Sequence, residues 1–342
     1  MKLKYTLPFI VLLIAFFVAW FFYPKEVKEY KKIGGNIQGT TYHITYEYNK
    51  NKDLQPAIDK LLHEFDMSLS TYIPNSIISR MNRNDPTVEA DELFTEVFIK
   101  SKEVYIDTHG AFDITVAPII NALGFGFTKG RDIDSSLIDS LLQFVGMEKV
   151  KLEGRKIVKT NPLVMLDVNA LAQGYSVDLV CRFLDKKKCH NYIVEIGGEI
   201  RAKGINAKGE KWRVGIDKPI EGNMEEGMML QAILSVSGKS LATSGNYRKF
   251  YIKNGKKYAH IINPKTGYPV LSNLLSTSVL ADDCITADAY ATALMVFGLE
   301  KSIVFLNSHS ALAAMLIYSD EKGNYKIYTT ENMKSFIVKE IQ

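Results

Sequence analysis

Polar and apolar residues alternate through "GGNIQGTTYHITYEY" (34–48), with β-branched and aromatic side chains at every second position, which predicts a strand. The period then lengthens. "LQPAIDKLLHEF" (54–65) and "DELFTEVFIKSKEVYIDTHG" (91–110) carry apolar residues at helical spacing, the second with Gly110 as its stop. "LVMLDVNALAQGYSVDLVCRFL" (163–184) reads as a buried strand running into a helix. "AILSVSGKSLATSG" (232–245), "FYIKNGKKYAHII" (250–262) and "AAMLIYSDEKGNYKIYTT" (313–330) are each two strand patterns around a turn, and Asn254-Gly255 is a strong hairpin signal. Strands joined mainly by hairpins, with a few packed helices, predict an α+β fold of antiparallel sheets.

One apolar run fits none of these elements. From about Tyr5 to Tyr23 the chain is apolar, with Lys2 and Lys4 before the run and Pro24, Lys25, Lys28, Lys31 and Lys32 after it. A run of roughly 18 to 20 residues can span a bilayer. It lacks a clear small-residue cleavage site, so an uncleaved signal anchor is expected. This divides the chain into an anchor and linker over 1–32 and a body over 33–342. Composition adds two exclusions. With 42 Lys and Arg against 38 Asp and Glu, the net charge of +4 leaves no broad footprint for nucleic acid. Three cysteines, Cys181, Cys189 and Cys284, make neither a disulfide scaffold nor a zinc pattern, although Cys181 and Cys189 are available to each other in an oxidising compartment.

Several polar, glycine-bearing clusters admit both a structural and a chemical reading. Gly39 to Tyr42, which includes Thr41, is a turn or a ligand contact. "DMSLSTYIPNSIISRMN" is a solvated loop or a pocket wall, with Tyr72 offering a ring to a flat heterocycle. In "GAFDITVAPIINALGFGF", Asp113 and Thr115 suit a turn, and Gly124 and Gly126 permit close backbone approach. "LDVNALAQGYSVD" ends a strand at Asp167 and Asn169 and places Gly174 near a helix start, where free N–H groups receive phosphate. Gly197-Gly198 in "VEIGGEI" reads as a β-bulge or a ligand approach. Thr243, Ser244 and Arg248 suit a phosphate, and the strand residue His260 is a structural imidazole or a base. In "ITADAYATAL", Thr286 suits the N-cap and Asp288 the first turn, while Thr292 suits a bond to a preceding carbonyl. Yet Asp288 and Thr292 lie four apart on one helix face, and two hard oxygens there also suit Mg²⁺.

In order, "GTTYHI", "LSTYIPNSIISRMN", "GAFDITVAPIINALGFG", "LDVNALAQGYSVD", "EIGGEI", "GNYRKFY", "HIINPKTGYP" and "TADAYATAL" resemble the motifs of the FAD:protein FMN transferases, the ApbE family. The resemblance implies a T-fold-like flavin transferase fold and Mg²⁺-dependent transfer of FMN from FAD to a Thr or Ser hydroxyl of an acceptor protein, with release of AMP. It implies metal ligands at Asp288, Thr292 and the carbonyl of Ala172, and it assigns catalysis to Asp288 and to His260 as the proton acceptor. Contacts to FAD would come from Thr41, Tyr72, Asp113, Asn169, Gly174, Glu195, Gly197, Gly198, Thr243, Ser244, Arg248 and His260. The acceptor would be a subunit of a membrane redox complex, and the body would lie on the extracytoplasmic side of a bacterial inner membrane. Two departures stand out: no cysteine follows the apolar run to take a lipid, and Gln173 stands where many relatives carry Lys. Hydrolysis of FAD, or flavin binding without turnover, would use the same pocket.

Overall fold

The computed structural model describes residues 29–48, 52–125, 135–220, 227–246, 250–253, 256–259 and 261–341, with 250–253 and 256–259 traced by their backbone. The apolar run of residues 5–23 lies outside these, as do Gly126, Arg248 and His260. Among the described residues, no helix is long and apolar enough to cross a membrane.

The first predicted strand is two. β1 (Tyr30–Ile37) and β2 (Thr40–Glu47) form a hairpin around Gln38 and Gly39, both at positive φ. Then come α1 (Gln55–Leu69), α2 (Ile77–Asn82), α3 (Glu92–Asp107), α4 (Ala117–Leu123) and α5 (Ser135–Leu142). The small hairpin of β3 (Val150–Glu153) and β4 (Lys156–Lys159) leads into α6 (Asn169–Lys186). Residues 163–168, expected as a strand, make only an isolated bridge between Met165 and Val116. They are anchored by side chains instead: Asn82 Nδ2 donates to the Leu166 carbonyl and Asn82 Oδ1 accepts its N–H, both at 2.8 Å.

The second half supplies β5 (Tyr192–Ile196), β6 (Glu199–Lys203), β7 (Trp212–Asp217), β8 (Leu230–Val236), β9 (Lys239–Gly245), β10 (Phe250–Lys253), β11 (Lys256–Ala259) and β12 (Leu274–Ala281). The chain closes with α7 (Cys284–Phe297), α8 (Leu299–Ser308), β13 (Ala313–Ser319), β14 (Tyr325–Thr329), α9 (Glu331–Lys334) and β15 (Ile337–Glu340). An eight-stranded sheet runs β1-β2-β5-β6-β9-β12-β13-β14, antiparallel at every pairing, so the α+β expectation holds. The stretch 232–245 does not make the expected hairpin. β8 pairs with β7 and β15 in a separate three-stranded sheet, while β9 joins the large one.

Period-two alternation assigns the two faces of the large sheet. Ala242, Val279, Ala314 and Leu316 pack with the helices, whereas Leu241, Leu280, Ala313, Met315 and Ile317 pack against the small sheet through Trp212, Val214 and Leu234. Each fully buried Leu or Ile here contributes roughly 1.5–3 kcal/mol of apolar burial. α7 is apolar nearly all round and lies buried between the sheet and α6. Its Ala287, Ala289, Ala291 and Ala293 are fully buried, and these small side chains let its neighbours come close.

Candidate active site

A cavity of about 1180 Å³ opens where α6, α7 and β9 meet the hairpins of β1–β2 and β5–β6. It is lined by Tyr72, Asp113, Asn169, Ala172, Glu195, Gly197, Gly198, Thr243, Ser244, Asp288 and Thr292, eleven of the residues singled out from sequence. One end is apolar, with Phe112, Ile114, Val116, Ile120, Ile261 and Ile262.

The first turn of α7 shows how the chain builds the polar end. Its N-cap is Asp283, not Thr286: the Asp283 carboxylate accepts the Thr286 N–H at 2.9 Å. One turn on, Asp288 Oδ2 accepts the Gly174 N–H at 2.9 Å, and among the described residues no other hydrogen bond reaches this carboxylate. Burial pushes Asp288 up to about 7, and the Gly174 N–H offsets only part of that. Thr292 does not bond back into its helix; its hydroxyl meets the Ser244 hydroxyl of β9 at 3.0 Å. Thr243 on β9 is held by Ser278 of β12 at 2.8 Å.

Gly174 is not the phosphate donor expected of it. It lies in the second turn of α6, and its N–H is given to Asp288 rather than left for a phosphate. A Cβ at Gly174 would come within 2.4 Å of the Cys284 carbonyl oxygen and 2.8 Å of Asp288 Cβ, so only glycine lets α6 and α7 cross this closely. Gly197 and Gly198, at φ 60° and 100°, form the two-residue turn between β5 and β6 and not a bulge. The Gln173 amide lies directly over Gly197, where a Cβ would come within 1.8 Å of Gln173 Nε2. Thr41 offers this turn its backbone: its carbonyl accepts the Gly197 N–H at 3.0 Å, and its exposed side chain does not line the cavity.

The cavity also holds groups that the motifs did not single out. His43 lies opposite Glu195 across β2 and β5, with Nδ1 2.8 Å from Glu195 Oε2, while Glu195 Oε1 accepts the Gly198 N–H at 2.8 Å. The available signal is its place in the segment "GTTYHI", where the resemblance assigns His43 no contact. Asp113 is buried beside the apolar end, with Oδ1 taken by the N–H and hydroxyl of Thr115 at 2.8 and 2.6 Å. Burial raises it to about 6 despite those two bonds. Asp167 and Asp66 are likewise raised by burial, Asp167 while holding the N–H and amide of Asn169. Among the described residues seven carboxylates and no Lys or Arg line the cavity. The three cysteines are free and buried, away from it.

The ApbE family profile matches residues 38–316. The chain belongs to the ApbE family. Over 316 residues it is 34% identical to a FAD:protein FMN transferase of Vibrio cholerae, covering 90% of this chain and 92% of that one. A FAD:protein FMN transferase of Haemophilus influenzae is 33% identical, covering 89% and 90%. Among solved structures, the flavin transferase ApbE from Vibrio cholerae superposes with a TM-score of 0.81 at 32% identity, over 90% of this chain and 99% of that one. The apo flavinyl transferase ApbE of Pseudomonas stutzeri also reaches a TM-score of 0.81, at 27% identity over 92% and 98%. The ApbE match contains the whole described lining of the cavity, from Gln38 to Val296.

The donor set also fits the Mg²⁺ that the ApbE resemblance implies. Among the described residues Asp288 keeps one oxygen unbonded, Thr292 and Ser244 add hydroxyls beside it, and Ala172 lines the same wall. These are hard oxygens with no competing thiol or imidazole among them, and a buried carboxylate gains from a cation placed against it.

Proposed function

We propose that this chain transfers the FMN half of FAD to a serine or threonine hydroxyl of an acceptor protein and releases AMP. The observation that carries this reading is the meeting of Asp288, Thr292 and Ala172 in one dinucleotide-sized cavity, within a chain of this family. Asp288, Thr292 and the Ala172 carbonyl would hold Mg²⁺. What such an ion would supply there is positive charge against a pyrophosphate.

The remaining work falls to the chain itself. The apolar end and Tyr72 take a flat ring, and Asp113 accepts a hydrogen bond from its edge. The Gly197–Gly198 turn brings backbone against the ligand, and Thr243 and Ser244 face the phosphates beside Thr292. The acceptor oxygen forms a bond to the flavin-side phosphorus, the bond from that phosphorus to the bridging oxygen breaks, and AMP leaves with the bridging oxygen. The hydroxyl proton passes to His260, with Arg248 as a phosphate contact. FMN remains on the acceptor as a phosphoester. The apolar run within residues 1–32 would anchor the body on the extracytoplasmic side of a bacterial inner membrane, facing an acceptor subunit of a membrane redox complex; the body itself begins by Tyr30, the first residue of β1, and not at 33.

The test mixes the full chain in detergent with FAD, Mg²⁺ and a candidate acceptor domain. The expected result is flavin fluorescence on the acceptor that survives denaturing electrophoresis, a mass gain of one FMN, and loss of both with chelator or in Asp288→Ala. AMP release with no labelled acceptor would replace transfer by hydrolysis, and normal labelling by Asp288→Ala would remove the metal assignment.

A further inference from the structure

We infer that Asp178 is a positioning residue for the transfer: it fixes the axial register of α7 on α6 and so sets where Asp288 and Thr292 present their oxygens. The inference rests on the reading of those two residues as metal ligands.

Asp178 lies on α6, is fully buried and does not line the cavity. Its Oδ2 accepts two backbone N–H groups at the start of α7, from Cys284 at 2.8 Å and Ile285 at 2.9 Å. That helix already has its N-cap, because Asp283 takes the Thr286 N–H. A second acid from another helix is therefore not needed to begin α7; it ties that beginning to α6.

The tie is reciprocal. Gly174, one turn before Asp178, donates its N–H to Asp288, one turn after Cys284. Each helix thus gives a carboxylate to the other's backbone, at two points one turn apart, with the bare Gly174 backbone pressed between them. Sliding α7 along α6 would break the three bonds at both points together. Thr292 is the next turn of the same face, so its height above Ala172 is set by the same register.

Arg201 completes the arrangement from β6, pairing with Asp178 Oδ1. On that strand it stands opposite Ser240 of β9, the strand that carries Thr243 and Ser244. A buried ion pair of this kind contributes little net stability over apolar packing of the same volume. What it supplies here is geometry, linking both ligand-bearing helices and the strand behind them.

The experiment compares Asp178→Asn, Arg201→Gln and Asp283→Ala with the unaltered full chain. Two quantities are read: Mn²⁺ affinity without FAD or acceptor, from loss of the free-ion paramagnetic signal, and kcat against KM for FAD in transfer. Asp178→Asn is expected to weaken Mn²⁺ at least tenfold and to lower kcat at least tenfold, with KM changed less than twofold. Arg201→Gln, which leaves the carboxylate but frees it to move, should shift both in the same direction by less. Asp283→Ala removes an ordinary cap from the same helix and should lower the melting temperature with Mn²⁺ affinity unchanged. If Asp178→Asn behaves like Asp283→Ala, Asp178 is only a structural cap and the inference is overturned. If the unaltered chain takes up no Mn²⁺, the metal reading itself falls, and the inference with it.

Discussion

A carboxyl group that loses its water on folding holds its proton longer, and Asp113 does so with Thr115 offsetting only part of the cost. Its pKa rises from the ordinary 3.8 to about 6. Between those values the unfolded chain releases a proton that the folded chain retains. The contribution of Asp113 to stability is therefore complete below pH ~4, is lost as the pH climbs to ~6, and stays lost above. Asp113→Asn removes that loss, so urea unfolding at pH 7.5 should find the variant more stable by at most ~3 kcal/mol, with the gain gone at pH 4. The same variant should need several times more FAD to saturate. An equal gain at both pH values would mean that Asp113 ionises freely in the fold. Asp113 is visible in the sequence because its Asx turn with Thr115 has a local signature. Asp178 sits inside an equally visible motif and is not legible there, because its partners are backbone N–H groups more than a hundred residues away, which no spacing rule encodes.

At the scale of elements, the crossing of α6 and α7 tolerates no added atom. Gly174→Ala would drive a methyl into the Cys284 carbonyl, and backbone cannot yield as a flexible side chain does. The cost expected from thermal unfolding is roughly 1–3 kcal/mol, together with a fall in transfer of at least tenfold. Unchanged stability would mean that the helices part easily. Alternation of side chains reveals most of the strands but not their partners. β8 and β9 look like a hairpin because only Ser237 and Gly238 separate them, yet they enter different sheets, since each has an apolar face wanted by a different neighbour. Residues 163–168 are apolar enough for a strand, but Asn82 satisfies Leu166 where a neighbouring strand would have done so. The helix of Asp288 is legible as a mostly apolar run stopped by Gly298, but its start is not: the cap is Asp283, three residues before the expected Thr286.

Across the whole molecule, the chain sets a cavity lined by seven described carboxylates against a substrate that is itself an anion. Without a divalent ion the two should repel. FAD binding measured by fluorescence should therefore weaken at least tenfold in chelator, and the residual binding should improve as salt screens the repulsion. Binding indifferent to chelator would mean that groups outside the described lining neutralise the phosphates. The same charge would bear on product release. Cleavage turns one internal phosphate into a terminal one on AMP, with a second ionisation near neutral pH. The spent nucleotide thus becomes more negative at the moment it is no longer tethered to the flavin. The carboxylates of the lining would disfavour that added charge while the flavin leaves on its new protein carrier, so AMP is expected to be a poor inhibitor in a product-inhibition titration.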